Sequence, residues 1–158
     1  MPDSMIAREG REKQVYIEGI RQVVGVVPVL KGHPDQIVLI SSRRSDTWSL
    51  PKGGWEEDES QEGSALREAW EEAGIKGNIG QKLGVYEHTK IEPDGRPKSQ
   101  FTFFEMQVED MRERWPESTE RDRRTFHIDE ARSLLSKRSY MLEPLLHYDS
   151  LLKSGKLH

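Results

Sequence analysis

The chain has 158 residues, with 24 Lys or Arg against 28 Asp or Glu and a formal net charge of −4. That length suits one domain, and 34% apolar with 33% charged residues implies a modest core under a charged surface. The balanced charge argues against broad nucleic-acid binding, the lack of cysteine excludes disulfides, a thiol nucleophile and a Cys-ligated zinc site, and no segment approaches membrane-spanning length.

Residues 1–13 are polar, lack the apolar stretch of a secretory leader and read as a flexible tail. Residues 14–153 read as a single domain and 154–158 as a C-terminal tail. The default expectation is an intracellular protein, cytoplasmic and/or nuclear. Residues 22–30 (QVVGVVPVL) and 36–40 (QIVLI) are strand candidates, separated by the turn Lys31-Gly32-His33-Pro34-Asp35. Residues 48–50 lead into Pro51-Lys52-Gly53-Gly54, a loop signal. Residues 60–73 have helical periodicity, with Ala65, Leu66, Ala69 and Ala73 on one side. Asp58 with Gln61 suits an N-cap pair, and Gly74 suits a stop. Residues 84–89 and 100–108 read as strands around the turn 92–97, and residues 124–128 as a further short strand. Residues 129–137 and 140–153 read as helices, with Leu134, Leu135, Leu142, Leu145, Leu146 and Leu151 on their apolar faces. Strands mixed with helices suit a layered α/β sandwich. Trp48, Phe101, Phe103 and Phe126 read as core, Trp70 as packed on a neighbouring loop, and Trp55 as packing ahead of substrate stacking.

In the helix 60–73, Glu68, Glu71 and Glu72 stand at i, i+3 and i+4 and share a face. Three crowded carboxylates repel one another unless cations neutralise them. Hard divalent cations with oxygen ligands do so, and they bridge to phosphate oxygens. Taken alone, such a face is an ordinary charged helix surface. The glycines, Glu59 and Arg67 in fixed register reverse that judgement. Arg67, four residues before Glu71, can pair with it or with Glu59, as an organiser of carboxylates. The glycines at 53 and 54 let backbone approach a metal or phosphate closely.

Gly53, Glu59, Arg67-Glu68, Glu71-Glu72, Gly74 and Ile75 fit G-x5-E-x7-R-E-U-x-E-E-x-G-U, where U is apolar. The chain therefore resembles the Nudix hydrolases, metal-dependent enzymes that cut a diphosphate bond. The resemblance implies a Nudix fold, an α/β/α sandwich with a mixed sheet between helices. It implies Mg²⁺, with Mn²⁺ as the alternative, held by Glu68, Glu72 and a backbone carbonyl of Lys52 or, alternatively, Gly53. It implies catalytic roles for Glu71, as general base, and Glu68, with Glu59, Arg67 and Gly74 as structural parts of the motif.

The flanks are similar to the diphosphoinositol polyphosphate and diadenosine polyphosphate phosphohydrolases. Arg21, Ser41-Ser42-Arg43, Asp46-Thr47-Trp48, Leu50-Pro51, Lys76-Gly77, Gly84-Val85-Tyr86-Glu87, Arg123-Arg124, Phe126, Ile128 and Glu130-Ala131 carry that likeness. Lys52 stands where animal-type members have the first of three glycines, and the loop 90–98 is longer than theirs. The expected partner is a highly phosphorylated small molecule rather than a membrane or nucleic acid, with a monomer as the simplest oligomeric state. Its expected ligands are Arg21, Ser41, Ser42, Arg43, Lys52, Lys98 and Arg123, because dense phosphate needs several cations at once. Arg44, Arg96 and Arg121 read instead as solvated surface charges. Inorganic polyphosphate is a further candidate substrate. Hydrolysis of ADP-ribose or another nucleoside diphosphate derivative, mRNA decapping and a non-catalytic ligand-binding Nudix module are the alternatives.

Overall fold

The computed structural model describes residues 4–8, 12–42, 45–88 and 90–157. The apolar run QVVGVVPVL forms most of the central strand, β2 (Ile20–Leu30), preceded by the short β1 (Tyr16–Ile17) that pairs back on it. β3 (His33–Ser42), β4 (Trp48–Ser49) and β5 (Lys52–Gly54) follow, then helix α1 (Gln61–Ala73). After α1 come the long strands β6 (Ile75–Glu87) and β7 (Ser99–Met111), then β8 (Arg121–His127), α2 (Ile128–Leu135) and α3 (Ser139–Lys153). The main path across the sheet is β4-β3-β2-β7-β6, with β5 paired to β2 and β8 to β3. The sheet is mixed: β2 runs parallel to β7 along its length and antiparallel to β3 and β5.

Alternation explains the layers. A strand buried on both faces reads as an unbroken apolar run, and its side chains must divide between two cores. Val23, Val27 and Val29 of β2, Ile37 and Leu39 of β3, and Phe101 and Phe103 of β7 pack with Ala131, Leu135, Met141, Leu145 and Tyr148 of α2 and α3. Val24, Val26, Val38, Ile40, Phe104 and Met106 point the other way, onto Ala65, Ala69 and Ala73 of α1. The result is the α/β/α sandwich expected from the sequence. Pro28 sits inside β2, where a proline would remove a ladder bond. It falls between the registered pairings with β5 (Val23 to Gly25) and with β3 (Val29 and Leu30).

Three local readings change. The N-cap of α1 is Ser60, whose hydroxyl accepts the Gly63 N–H at 3.0 Å. Asp58 instead takes Arg8 and Lys13. The strand expected from residue 84 starts at Ile75, directly after Gly74. Between Ile75 and Leu83 only Ile79 is apolar among glycines and polar residues, so this half shows little apolar signal. Residues 4–8 and 12–13, assigned from sequence to the tail, lie on the domain: Trp70 Nε1 donates to the Ser4 carbonyl, and Glu57 N–H to that of Lys13.

Candidate active site

Ala65, Ala69 and Ala73 are fully buried, so α1 sits close on the sheet. That brings the adjoining face, with Glu68, Glu71 and Glu72, down beside β5. All three carboxylates are buried, at 9%, 6% and 8% exposure. Arg67 lies among them. Its Nε donates to both oxygens of Glu59 at 3.0 and 2.9 Å, its Nη1 to Glu68 at 2.8 Å and Glu71 at 3.3 Å, and its Nη2 to the Gly54 carbonyl at 3.2 Å. One guanidinium thus joins three carboxylates of the motif and the preceding loop.

Gly53 faces Glu68. A Cβ at Gly53 would stand 2.1 Å from the Glu68 carboxyl carbon. Glu72 is held through both oxygens, Oε1 accepting the Lys52 N–H at 3.1 Å and Oε2 facing Arg121 Nη2 at 3.5 Å. Burial pushes the Glu68 carboxyl up to about 8, with the neighbouring Glu72 adding to the effect. Burial also raises Glu71, against the pull of Arg67, and Glu72, against Lys52 and Arg121. Burial is the main cause in all three, and a divalent cation bound beside them would offset it.

The end of α1 is fixed from outside the helix. Gly74 takes the left-handed conformation (φ 63°), and its N–H returns to the carbonyls of Ala69 and Trp70. The last carbonyls of a helix have no partner within it. Here each finds one: Glu71 O accepts the Glu117 N–H at 3.1 Å, Glu72 O accepts Trp115 Nε1 at 2.9 Å, Ala73 O accepts Arg123 Nη1 at 2.8 Å, and Gly74 O accepts the Arg112 N–H at 2.9 Å.

A cavity of about 290 Å³ opens beside the carboxylates, lined by Arg21, Lys52, Gly53, Glu72, His88 and Lys98 and backed by Ser99, Phe101 and Tyr140. Arg21 and Lys98 come together because Arg21 and Ser99 are register partners across the parallel β2–β7 pair. His88 stacks on Tyr140 with ring centroids 4.7 Å apart, and Tyr140 on Phe101 at 4.7 Å. Burial, with Lys98 and Lys90 nearby, lowers the His88 pKa.

The structure places Arg21, Lys52 and Lys98 on one cavity, but not every residue named with them. Arg43 lies outside the described residues. Ser41 is buried between Trp48 of β4 and Asp122 of β8. Ser42 pairs with Arg121. Arg123, expected on phosphate, stands 4.4 Å over the Trp115 ring and donates to the carbonyls of Ala73 and Arg112; it does not line the cavity. Arg121, read from sequence as surface charge, is the arginine that reaches Glu72. Arg96 pairs with Asp94 in its turn. Trp55 donates to the Glu59 carbonyl and packs on the α1-side core, so packing describes it. His88, Tyr140, Trp115 and Arg8 went unnoticed in the sequence. Each lies far along the chain from the motif, and no local pattern marks it.

A carboxylate-bearing helix packed on a mixed sheet, with a glycine loop against the carboxylates and a basic cavity beside them, is the arrangement of a hydrolase of the α/β/α class. The NUDIX domain model matches residues 19–146, and the chain belongs to the Nudix family as a Nudix hydrolase. It is 40% identical over 141 residues to Nudix hydrolase 18, mitochondrial, of Arabidopsis thaliana, covering 81% of this chain and 76% of that protein. It is 34% identical over 121 residues to diphosphoinositol polyphosphate phosphohydrolase 3-alpha of Mus musculus, covering 75% of this chain and 71% of that one. A NUDIX hydrolase structure from Nitrosomonas europaea superposes with a TM-score of 0.64 at 21% identity, over 88% of this chain and 92% of the other, and shows the same fold. Among the described residues, no helix is long and apolar enough to cross a membrane.

Proposed function

We propose that the chain hydrolyses phosphoanhydride bonds of diphosphoinositol polyphosphates and/or diadenosine polyphosphates, with inorganic polyphosphate as a further substrate. The carrying observation is the cavity in which Arg21, Lys52 and Lys98 face the Glu72 end of the carboxylate cluster. A substrate with many phosphates needs such a group of cations beside the bond to be cut. The similarity to a diphosphoinositol polyphosphate phosphohydrolase supports the same reading. The His88–Tyr140–Phe101 stack at the back of the cavity keeps the dinucleoside polyphosphates in the proposal, since a flat base has an aromatic edge to meet there. We place the activity in the cytosol and/or nucleus.

The donor set fits Mg²⁺ or Mn²⁺: two buried carboxylates, Glu68 and Glu72, lie beside a loop whose Gly53 has no side chain to separate it from Glu68. Glu68 and Glu72 would hold the ion with the backbone carbonyl of Lys52, or alternatively that of Gly53. When bound, it stabilises charge on the phosphoryl group and acidifies water. Glu71 accepts the proton of the attacking water as its oxygen bonds to phosphorus and the bridging P–O bond breaks. Arg67 keeps the Glu71 carboxylate in place through Oε1. Arg21, Lys52 and Lys98 hold the remaining phosphates. The products are inositol hexakisphosphate and phosphate, or two smaller nucleotides.

The test is turnover with Mg²⁺ across a diphosphoinositol pentakisphosphate, diadenosine hexaphosphate and ADP-ribose. Fastest turnover of either of the first two is the expected result. Preference for ADP-ribose overturns the substrate class, and no turnover of any of the three overturns the proposal.

A further inference from the structure

The matched domain begins at residue 19, yet the active-site helix is also held by residues that precede it. The Arg8 guanidinium bonds to Glu56, reaches Asp58 at 3.1 Å and lies 3.9 Å from Glu59, the motif carboxylate that Arg67 also grips. The Arg8 backbone N–H donates to Glu71 Oε2 at 3.3 Å. Four residues earlier, the Ser4 carbonyl accepts Trp70 Nε1 at 2.8 Å, so the segment 4–8 is tied to α1 at both ends.

We propose that Arg8 is a positioning residue for the Nudix reaction, holding the Glu71 carboxylate from the segment that precedes the matched residues 19–146. The inference rests on Glu71 as the proton acceptor. A glutamate carboxylate turns freely about its last torsion, which has broad minima. Arg67 fixes Oε1, and a single donor leaves that turn open. The Arg8 amide fixes Oε2, so the plane of the carboxylate is set by two donors. The guanidinium anchors that amide. Its grip on Glu56, Asp58 and Glu59 holds the backbone of residue 8 against the helix.

Loss of Arg8 has two separable readouts, stability and rate. Removing Arg8 breaks its pair with Glu56, whose side chain is only 8% exposed, and that costs stability, whereas the pair with the more open Asp58 contributes little. A misplacement of about 1 Å in a reacting group, by contrast, costs up to about a hundredfold in rate. The loss of rate is therefore read well below the melting temperature of the variant, where folding does not contribute.

The experiment uses the full chain, with the most rapidly hydrolysed member of the substrate panel and Mg²⁺. Arg8→Ala, Arg8→Lys, Glu71→Gln and the double variant Arg8→Ala/Glu71→Gln are compared for kcat, KM and melting temperature. Arg8→Ala should lower kcat about tenfold to a hundredfold, with KM changed by less than about threefold. Arg8→Lys, which keeps the charge and the amide, should restore most of the rate. Adding Arg8→Ala to Glu71→Gln should cost nothing more, because both act through one carboxylate. An unchanged or increased kcat in Arg8→Ala, a rise in KM alone, failure of Arg8→Lys to rescue, or full additivity with Glu71→Gln overturns the inference. A slow Glu71→Gln beside a fast Arg8→Ala removes Arg8 alone. A fast Glu71→Gln removes the proton acceptor and, with it, the role assigned to Arg8.

Discussion

Gly53 and Glu68 are in direct apposition: a side-chain carbon on the first would meet the carboxyl carbon of the second at 2.1 Å. The loop and the helix can be this close only because residue 53 has no Cβ. Gly53→Ala must push Glu68 away from the loop or the loop away from α1. We expect Mg²⁺ affinity and kcat to fall on the order of tenfold to a hundredfold, as when a ligand is misoriented by its supporting shell. Metal titration beside steady-state kinetics checks it. Wild-type metal affinity in this variant would mean that Glu68 is not a ligand.

Without metal, the protein should lose stability as pH rises. Burial raises the folded-state carboxyl of Glu68 from its ordinary 4.5 to about 8, so the folded chain binds that proton more tightly than the unfolded one. The contribution is complete below about 4.5 and is lost as pH rises through about 8. Glu71 and Glu72, also raised by burial, act in the same sense. Melting temperature in EDTA should fall across that window. Added Mg²⁺ should reverse the fall, and Glu68→Gln should flatten it. A melting temperature in EDTA that climbs toward pH 8 would contradict this account.

Lys98 is an exposed residue on the rim of the cavity beside Arg21. Its removal should weaken ground-state binding without disturbing the carboxylates. For Lys98→Ala we expect KM to rise about tenfold, the scale of one lost hydrogen bond to a charged group, with kcat little changed. The rise should be larger for substrates with more phosphates. Equal effects on ADP-ribose and diadenosine hexaphosphate would show that Lys98 does not count phosphates.

Trp115 donates its indole N–H to the Glu72 carbonyl inside a buried contact. Trp115→Phe keeps most of the ring and deletes the donor, leaving that carbonyl unpaired at a cost of about 1–3 kcal/mol. Chemical denaturation should register the loss. Trp115→Ala, which also empties the space over Gly74, should cost more, about 3–5 kcal/mol. A denaturation midpoint for Trp115→Phe equal to wild type would remove the indole bond from the account.

Most of the sandwich was legible because its strands obey a simple alternation. In β2 and β3, odd and even positions are both apolar and feed two cores. The motif itself was legible as spacing, since Glu68, Glu71 and Glu72 are neighbours on a helix face whatever surrounds them. The first half of β6 was not, because an edge strand with one wetted face needs few apolar residues. Arg121 and Arg123 illustrate the harder limit. Two residues apart on β8, they read from sequence the other way round, Arg123 on phosphate and Arg121 on the surface. Arg121 reaches the Glu72 carboxylate, while Arg123 is taken up by carbonyls at the end of α1. Which of two nearby arginines faces a site depends on the loop packed beside them, and that loop has no pattern of its own. Trp115 and Arg8 were hidden for the same reason: their partners are set by tertiary approach.

The parallel pairing of β2 with β7 has a consequence for how the activity comes into being. Arg21 enters the cavity near the start of the domain and Ser99 past its middle, and the pairing that joins them closes about half of the chain into one loop. Contacts of such long sequence separation form slowly, because the loop must close before they repay it. The carboxylate helix and the β6–β7 hairpin can form early from local contacts, but Arg21 and Lys52 reach the cavity only once β2 has docked. During refolding, helical signal should therefore return ahead of catalysis, and the lag between them times the docking of β2 against β7.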